Sequence, residues 1–166
     1  MLLGPRTIAL MATLTTPTTS TSTPPTAPTT LPDHVRAFLA ATRFATIATV
    51  DPDGSPRQAV IWYRLDGDEL VLNSRAGRRW PSNLGRDQRI SVAVNDQADG
   101  YRWVGLTGRV TIIEDQPTAQ ADIAEMARRY HAAEPAKAER LVHDQFERQR
   151  RVSFRIVIDA VHDHLD

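Results

Sequence analysis

Apolar and polar residues alternate along six stretches of the chain, and turn-forming residues separate these stretches. Alternation places successive side chains on opposite faces of an extended backbone, so each stretch is predicted to be a β-strand. The predicted strands are 44–50, 58–65, 69–74, 90–94, 101–114 and 152–158. Residues 101–114 are predicted as one long strand or two bent ones, because Gly105 and Gly108 favour a bulge or a close backbone approach.

Helical spacing of apolar residues replaces alternation in the remaining ordered segments. Asp33 is a candidate N-cap for a short helix over 34–42. Two longer helices, 115–131 and 136–150, are predicted to cover the sheet, and another short helix is predicted to begin near Pro81. This order of elements predicts a mainly β (α+β) fold, a six-stranded antiparallel barrel with peripheral helices.

The beginning of the chain differs from the rest in composition. Residues 15–32 are almost entirely threonine, proline and serine, a composition that does not form a packed core. We therefore predict a disordered arm over residues 1–31, either inert or reaching a partner subunit, and one folded domain over 32–166. Pro5 and Arg6 interrupt the only candidate signal peptide, and Met11 is an alternative start, so a cytoplasmic location is expected.

Composition and charge exclude several classes of function. Lys plus Arg and Asp plus Glu number 20 each, which argues against a general nucleic-acid binder. The absence of cysteine excludes disulfides, thiolate metal sites and a cysteine nucleophile. No apolar run approaches the ~20 residues of a membrane-spanning helix. His162 and His164 are too few for a metal site and are predicted to lie in a frayed tail, so no metal is expected.

A phosphate site is predicted in the segment 75–89, which interrupts the β pattern and contains five arginines. Guanidinium groups present planar forks to phosphate oxygens, and the N–H groups at a helix start add further donors. Gly77 permits a tight approach of the backbone. The candidate phosphate-binding residues are Asn73, Ser74, Arg75, Arg78 and Arg79. The alternative is a solvated loop whose arginines only increase solubility.

The order of elements and several local sequences resemble the pyridoxamine-phosphate-oxidase-like split barrel. The resemblance is carried by ATIATVDPDGSPR (45–57), LVLNSRAGRRWPSNL (70–84), RDQRISV (86–92) and GRV (108–110). It extends from about Val35 to Val161. Within this superfamily the chain most resembles the short deazaflavin-dependent oxidoreductases, which use coenzyme F420, more than the FMN-dependent oxidases.

The resemblance implies an FMN-binding-type split barrel that forms a homodimer, with a cofactor groove at the subunit interface. It implies that Val60, Ile61 and Trp62 lie near the cofactor ring and that the phosphate lies on the basic turn. Asn83, which follows that turn, is a further candidate cofactor-binding residue. Alternation allows only one face of the second strand to meet the groove, and the pattern leaves that face open. Trp80 stands where many relatives carry a lysine, and it is expected either to stack on a ring or to pack beneath the loop.

The function implied is hydride transfer from coenzyme F420 to a small-molecule acceptor. The alternatives are an FMN-dependent enzyme, a non-catalytic flavin-binding protein and a heme-related role. The sequence contains no acid–base pair or nucleophile motif, in agreement with chemistry performed by a cofactor. Arg57 and Tyr101 are candidates for polarising a substrate carbonyl, and the catalytic residues are otherwise not assigned.

Overall fold

The computed structural model describes residues 29–166. Within this range the chain forms four α-helices and one seven-stranded antiparallel sheet. In chain order the elements are α1 (Asp33–Ala40), β1 (Ala45–Val50), β2 (Pro56–Ile61), β3 (Tyr63–Asp66), β4 (Glu69–Arg75), α2 (Arg79–Arg86), β5 (Arg89–Asn95), β6 (Trp103–Ile113), α3 (Gln116–Tyr130), α4 (Pro135–Leu141) and β7 (Arg151–His164).

The sheet is curled into a split barrel, which confirms the predicted fold class. Its strand order is β2-β1-β5-β6-β7-β4-β3, so β2 and β3 lie at opposite edges although they are consecutive in the chain. The predicted strand 58–65 divides between them at Trp62, which is why the sheet has seven strands. The end of α3 packs at this division: Tyr63 N donates to Tyr130 Oη at 3.0 Å, and Trp62 stacks on the Tyr130 ring.

Two apolar clusters hold the barrel and its helices together. The larger fills the barrel interior and includes the inward residues of β1, Ala45 and Ile47, because alternate residues of that strand are buried. The smaller lies between the outer face of β4 and the helical segment that follows β6, where Val71 meets Met126 and Phe146. The helical segment after β6 therefore covers one outer face of the barrel, as predicted, whereas α1 and α2 pack against the larger cluster.

A bulge explains one of the two glycines in the long strand. The register of β6 and β7 shifts between Thr107 and Gly108, and Asp159 is the extra residue of β7. A Cβ atom at Gly108 would lie 2.2 Å from the carbonyl oxygen of Val157. Glycine is thus required for the backbones to approach, and β6 runs through this point as one long strand.

Several predicted boundaries were wrong. The last strand was predicted to end at residue 158, but β7 continues to His164, so the two histidines do not lie in a frayed tail. His164 stacks on Trp103 with ring centroids 4.3 Å apart, which stabilises this end. The short helix was predicted close to its position: it begins at Arg79, two residues before Pro81. The predicted helix 136–150 is replaced by α4 and a π-helical turn, Val142–Phe146.

The predicted N-terminal arm lies mostly outside the described residues. Of the range assigned to it, Thr29 donates from its backbone N to Ile158 O at 3.0 Å, and Leu31 is buried. These last residues of the range therefore attach to the barrel, and the prediction for residues 1–28 stays a prediction. No helix in the described part of the chain is long and apolar enough to cross a membrane.

Candidate functional site

A cleft of about 240 Å³ opens beside the division between β2 and β3. Six of the ten predicted cofactor-binding residues line it: Val60, Ile61, Trp62, Asn73, Arg78 and Trp80. Its other walls come from the helical segment after β6, which contributes Gln145 and Phe146 of the π-helical turn, and from Arg151 at the start of β7. The cleft thus has an apolar and aromatic side and a cationic side.

Trp62 forms the centre of the aromatic side. Its ring stacks on Tyr130, with centroids 4.9 Å apart and an interplanar angle of 13°, and it meets Phe146 edge-on at 6.4 Å. These contacts hold the indole in one orientation. Three consecutive residues, Val60, Ile61 and Trp62, line the cleft, because alternation ends where the strand breaks at Trp62. Which face of the second strand meets a cofactor stays a prediction.

Asp51 anchors the start of α2 to the barrel. Its buried carboxylate accepts from Arg79 Nη2 at 3.1 Å, Arg57 Nε at 2.9 Å and Asn83 Nδ2 at 2.7 Å. Hydrogen bonds from Arg79 and Asn83 hold the pKa of Asp51 well below its usual range. Arg57, Arg79 and Asn83 therefore stabilise the scaffold at the end of β1, and none of them lines the cleft.

Asn73 links the outer face of β4 to its neighbours. Its Nδ2 donates to Ala119 O at 2.8 Å and to Ser153 Oγ at 2.9 Å, and its Oδ1 accepts from Arg151 Nη2 at 2.7 Å. Because side chains alternate along a strand, the next residue, Ser74, points to the other face. Ser74 is buried, and its hydroxyl has no hydrogen-bond partner within residues 29–166.

The cationic side of the cleft is formed by Arg78 and Arg151, with Arg75 nearby. Arg75 is opposite Arg151 in the β4–β7 ladder. Burial, together with the positive charges of Arg78 and Arg75, lowers the pKa of Arg151 to about 10. The three positive charges lie near one another with no carboxylate among them within residues 29–166, so they favour the binding of an anion at this place.

The sequence comparisons agree with the fold. The sequence model of the pyridoxamine 5'-phosphate oxidase family matches residues 31–164, which is most of the chain. The chain belongs to this family. It is also 27% identical over 122 residues to an F420H(2)-dependent biliverdin reductase of Mycobacterium tuberculosis, a match that covers 72% of this chain and 87% of that protein.

Solved structures show the same barrel. A conserved hypothetical protein of Mycobacterium tuberculosis, Rv2991, superposes with a TM-score of 0.65 at 25% identity, over 86% of this chain and 91% of that one. An F420 reductase superposes with a TM-score of 0.64 at 24% identity, over 80% of this chain and 98% of that one. The pyridoxamine 5'-phosphate oxidase family fold is thereby established for residues 31–164.

Trp80 is largely buried. Its ring lies 5.1 Å from that of Phe154 in the barrel core, with one edge on the cleft. Trp80 was expected either to stack on a cofactor ring or to pack beneath the loop. Its contact with Phe154 agrees with packing beneath the loop. The other candidates for substrate contact are elsewhere: Tyr101 is almost fully exposed, and Arg57 is paired with Asp51.

Arg151 and two residues of the π-helical turn, Gln145 and Phe146, line the cleft but were not predicted from the sequence to do so. Arg151 falls between the predicted helix 136–150 and the predicted strand 152–158, and no role in the site was assigned to it. The alternation that begins at Val152 was the available signal, since it places Arg151 beside a strand rather than in a helix. No group of three or more potential metal ligands occurs in the described part of the chain.

Proposed function

We propose that this protein is an oxidoreductase that binds coenzyme F420 in the cleft and transfers a hydride to a small-molecule acceptor. The observation that carries the proposal is the pairing of an ordered aromatic wall around Trp62 with the cations Arg78 and Arg151 in one cleft. A cofactor with a planar ring and an anionic side chain needs an aromatic or apolar wall for the ring and cations for the side chain. The similarity to an F420H(2)-dependent reductase supports the same cofactor.

The residues of the cleft fit such a cofactor. Arg78 immediately precedes α2 and would bind the phosphate, because it presents a guanidinium fork beside the free N–H groups of a helix start. Ile61 and Trp62 would face the ring. When bound, the deazaflavin supplies the hydride chemistry, and the protein provides orientation and shelter from water. Because the cofactor supplies the chemistry, the cleft requires no acid–base pair.

FMN is the second candidate cofactor. The pyridoxamine 5'-phosphate oxidase family resemblance includes FMN-dependent oxidases, and FMN presents the same combination of a planar ring and a phosphate. The cleft offers the same wall and cations to both molecules. Binding measurements must therefore decide between them, and a non-catalytic flavin-binding protein is the third outcome.

We further propose that the protein works as a homodimer. The outer face of β1, β5 and β6 carries rows of small side chains that are opposite one another: Ala48, Ser91 and Thr107 in one row, Thr46, Ala93 and Gly105 in the next. Ala48, Ser91 and Thr107 line a recess on this face, and small side chains leave room there for the close approach of another subunit. Val60, which is 69% exposed, lies on this face because it is opposite Thr46, and it also lines the cleft. A partner on this face would therefore adjoin the cofactor.

Anaerobic turnover tests the proposed reaction. Reduced F420 is mixed with the protein and a panel of conjugated carbonyl compounds, and the absorbance of the oxidised deazaflavin is followed. We expect protein-dependent oxidation with at least one acceptor. Arg78→Gln should raise the KM for reduced F420 by about tenfold, as expected for the loss of a charged hydrogen bond, with a smaller effect on kcat.

The matched control is Arg128→Gln. Arg128 is an exposed arginine of α3 whose partner is Glu139, at 2.7 Å, and its replacement should leave turnover unchanged. Tight F420 binding without oxidation by any acceptor would contradict the enzyme proposal and favour a binding protein. Protein that purifies with FMN, and that turns over only with FMN, would contradict the choice of cofactor.

A further inference from the structure

Arg151 is a buried cation whose partners within residues 29–166 are all neutral. It is only 5% exposed. Its Nε and Nη2 donate to Asn73 Oδ1 at 2.9 and 2.7 Å, and its Nη1 donates to Gln149 Oε1 at 2.7 Å. Burying a charge without an opposite charge is costly. Arg75, opposite it in the ladder, and Arg78, across the cleft, increase that cost.

Arg155 provides an internal comparison. It lies on the same face of β7, two alternations further along. Its Nη2 is 3.3 Å from the buried carboxylate of Asp122, and its Nη1 is 3.0 Å from Asp66. Two arginines on one face of β7 therefore have different partners: Arg155 has two carboxylates, and Arg151 has only neutral amides. The missing negative charge is specific to the arginine that lines the cleft.

The backbone and the guanidinium of Arg151 are each held in one position. Gln116 of α3 accepts from Arg151 N at 3.0 Å and donates to Arg151 O at 2.8 Å. Asn73 is itself fixed by its two donated bonds, and the guanidinium lies 5.0 Å from the Phe146 ring centroid. Three of the five N–H groups are used, which leaves one on each terminal nitrogen. This arrangement is a fork fixed in advance, suited to phosphate oxygens.

We propose that Arg151 is a preorganised phosphate-binding residue of the cleft, that a ligand phosphate supplies its missing counter-ion, and that Asn73 positions it. The inference rests on the proposed function only in assigning this phosphate to the cofactor. The phosphate of a substrate would satisfy the same chemistry. The binding of phosphate itself is independent of either choice, and the experiment separates them.

The first arm measures thermal unfolding of the full chain in inorganic phosphate and in chloride at matched ionic strength. Phosphate at ten times its Kd raises the folding equilibrium constant about elevenfold. We expect a saturable increase in Tm for the wild type and for Arg155→Gln, and its loss in Arg151→Gln. Phosphate also stabilises proteins by exclusion from their surfaces, so the difference between variants is the decisive quantity. An equal increase in Arg151→Gln and wild type would overturn the proposal.

A second variant keeps Arg151 in place. Asn73→Asp gives the guanidinium a carboxylate partner of nearly the same shape. We expect it to reduce the phosphate-dependent increase in Tm, because the cation is then already neutralised. An undiminished increase in Asn73→Asp would contradict the role of the missing counter-ion, whatever the basal stability of the variant.

The second arm identifies the source of the phosphate. The Kd values of FMN and F420 are compared with those of riboflavin and the phosphate-free deazaflavin chromophore. A loss of about tenfold or more in Arg151→Gln, confined to the phosphate-bearing molecules, assigns the phosphate to the cofactor. Equal Kd values in both proteins overturn that assignment and leave the phosphate to a substrate. If inorganic phosphate binds and no flavin does, the proposed function fails while the Arg151 site stands.

Discussion

Two roles are proposed for Asn83, a contact with the cofactor and a structural role in the scaffold. Its replacement by alanine tests which role is correct. The sequence placed Asn83 among the cofactor-binding residues. In the structure it is 2% exposed, and its Nδ2 donates to Thr49 Oγ1 at 3.1 Å and to Asp51 Oδ1 at 2.7 Å. These bonds attach α2 to the end of β1, away from the cleft.

The cost of Asn83→Ala follows from these two bonds. A neutral hydrogen bond contributes about 0.5–1.5 kcal/mol and one to a charged group about 1.5–3 kcal/mol. Their loss should lower the free energy of unfolding by roughly 2–4 kcal/mol. For a chain of this length, each kcal/mol lowers Tm by about 2–4 °C, so a decrease of roughly 5–15 °C is expected.

Urea unfolding followed by circular dichroism measures this change, and F420 titration well below Tm measures affinity. We expect a large loss of stability and a Kd within about threefold of the wild type, since ~0.6 kcal/mol corresponds to that factor. Ser82→Ala is the control, because the neighbouring Ser82 is exposed and its hydroxyl donates only to Arg78 O, four residues earlier in the chain, at 3.0 Å. Wild-type stability combined with a tenfold loss of F420 affinity would refute the scaffold interpretation.

Three further predictions concern the barrel. Arg89 lowers the pKa of Asp87 to about 2, and Arg79 is the main cause of the lowered pKa of Asp51. Both ionised carboxylates stabilise the fold above the ordinary carboxyl pKa, so the urea midpoint should fall as the pH is lowered below about 4. A midpoint that does not change with pH would contradict this. Gly108→Ala should destabilise the protein by about 1–3 kcal/mol in urea unfolding, because its Cβ meets a carbonyl oxygen, and a wild-type midpoint would disprove the bulge contact. Ala48→Arg should convert a dimer into a monomer in light scattering, and an unchanged mass would exclude that sheet face as the interface.

Most of the fold could be predicted because its information is local. Alternation in β1 and β5 depends only on neighbouring residues, and each strand formed near its predicted position. The break at Trp62 was not predictable in this way, because its partner Tyr130 is far along the chain. The same holds for the π-helical turn, whose carbonyl at Phe146 accepts from Gln120 of α3.

The candidate site could be predicted only in part for the same reason. The cluster of arginines after β4 was visible as a local sequence, and Arg78 does line the cleft. That Arg79 instead neutralises Asp51 depends on how α2 docks on β1. Arg151 meets Asn73 across 78 positions of sequence, so only the β4–β7 pairing reveals it.

The most direct test of the central claim is titration of the protein with F420, and separately with FMN, followed by tryptophan emission. Trp62 and Trp80 line the cleft, whereas Trp103 stacks on His164 at the end of β7. We therefore expect F420 to quench emission saturably in the wild type and in Trp103→Phe, much less in Trp62→Phe, and with weaker affinity in Arg78→Gln. No quenching by F420 or FMN at micromolar concentration would contradict the account.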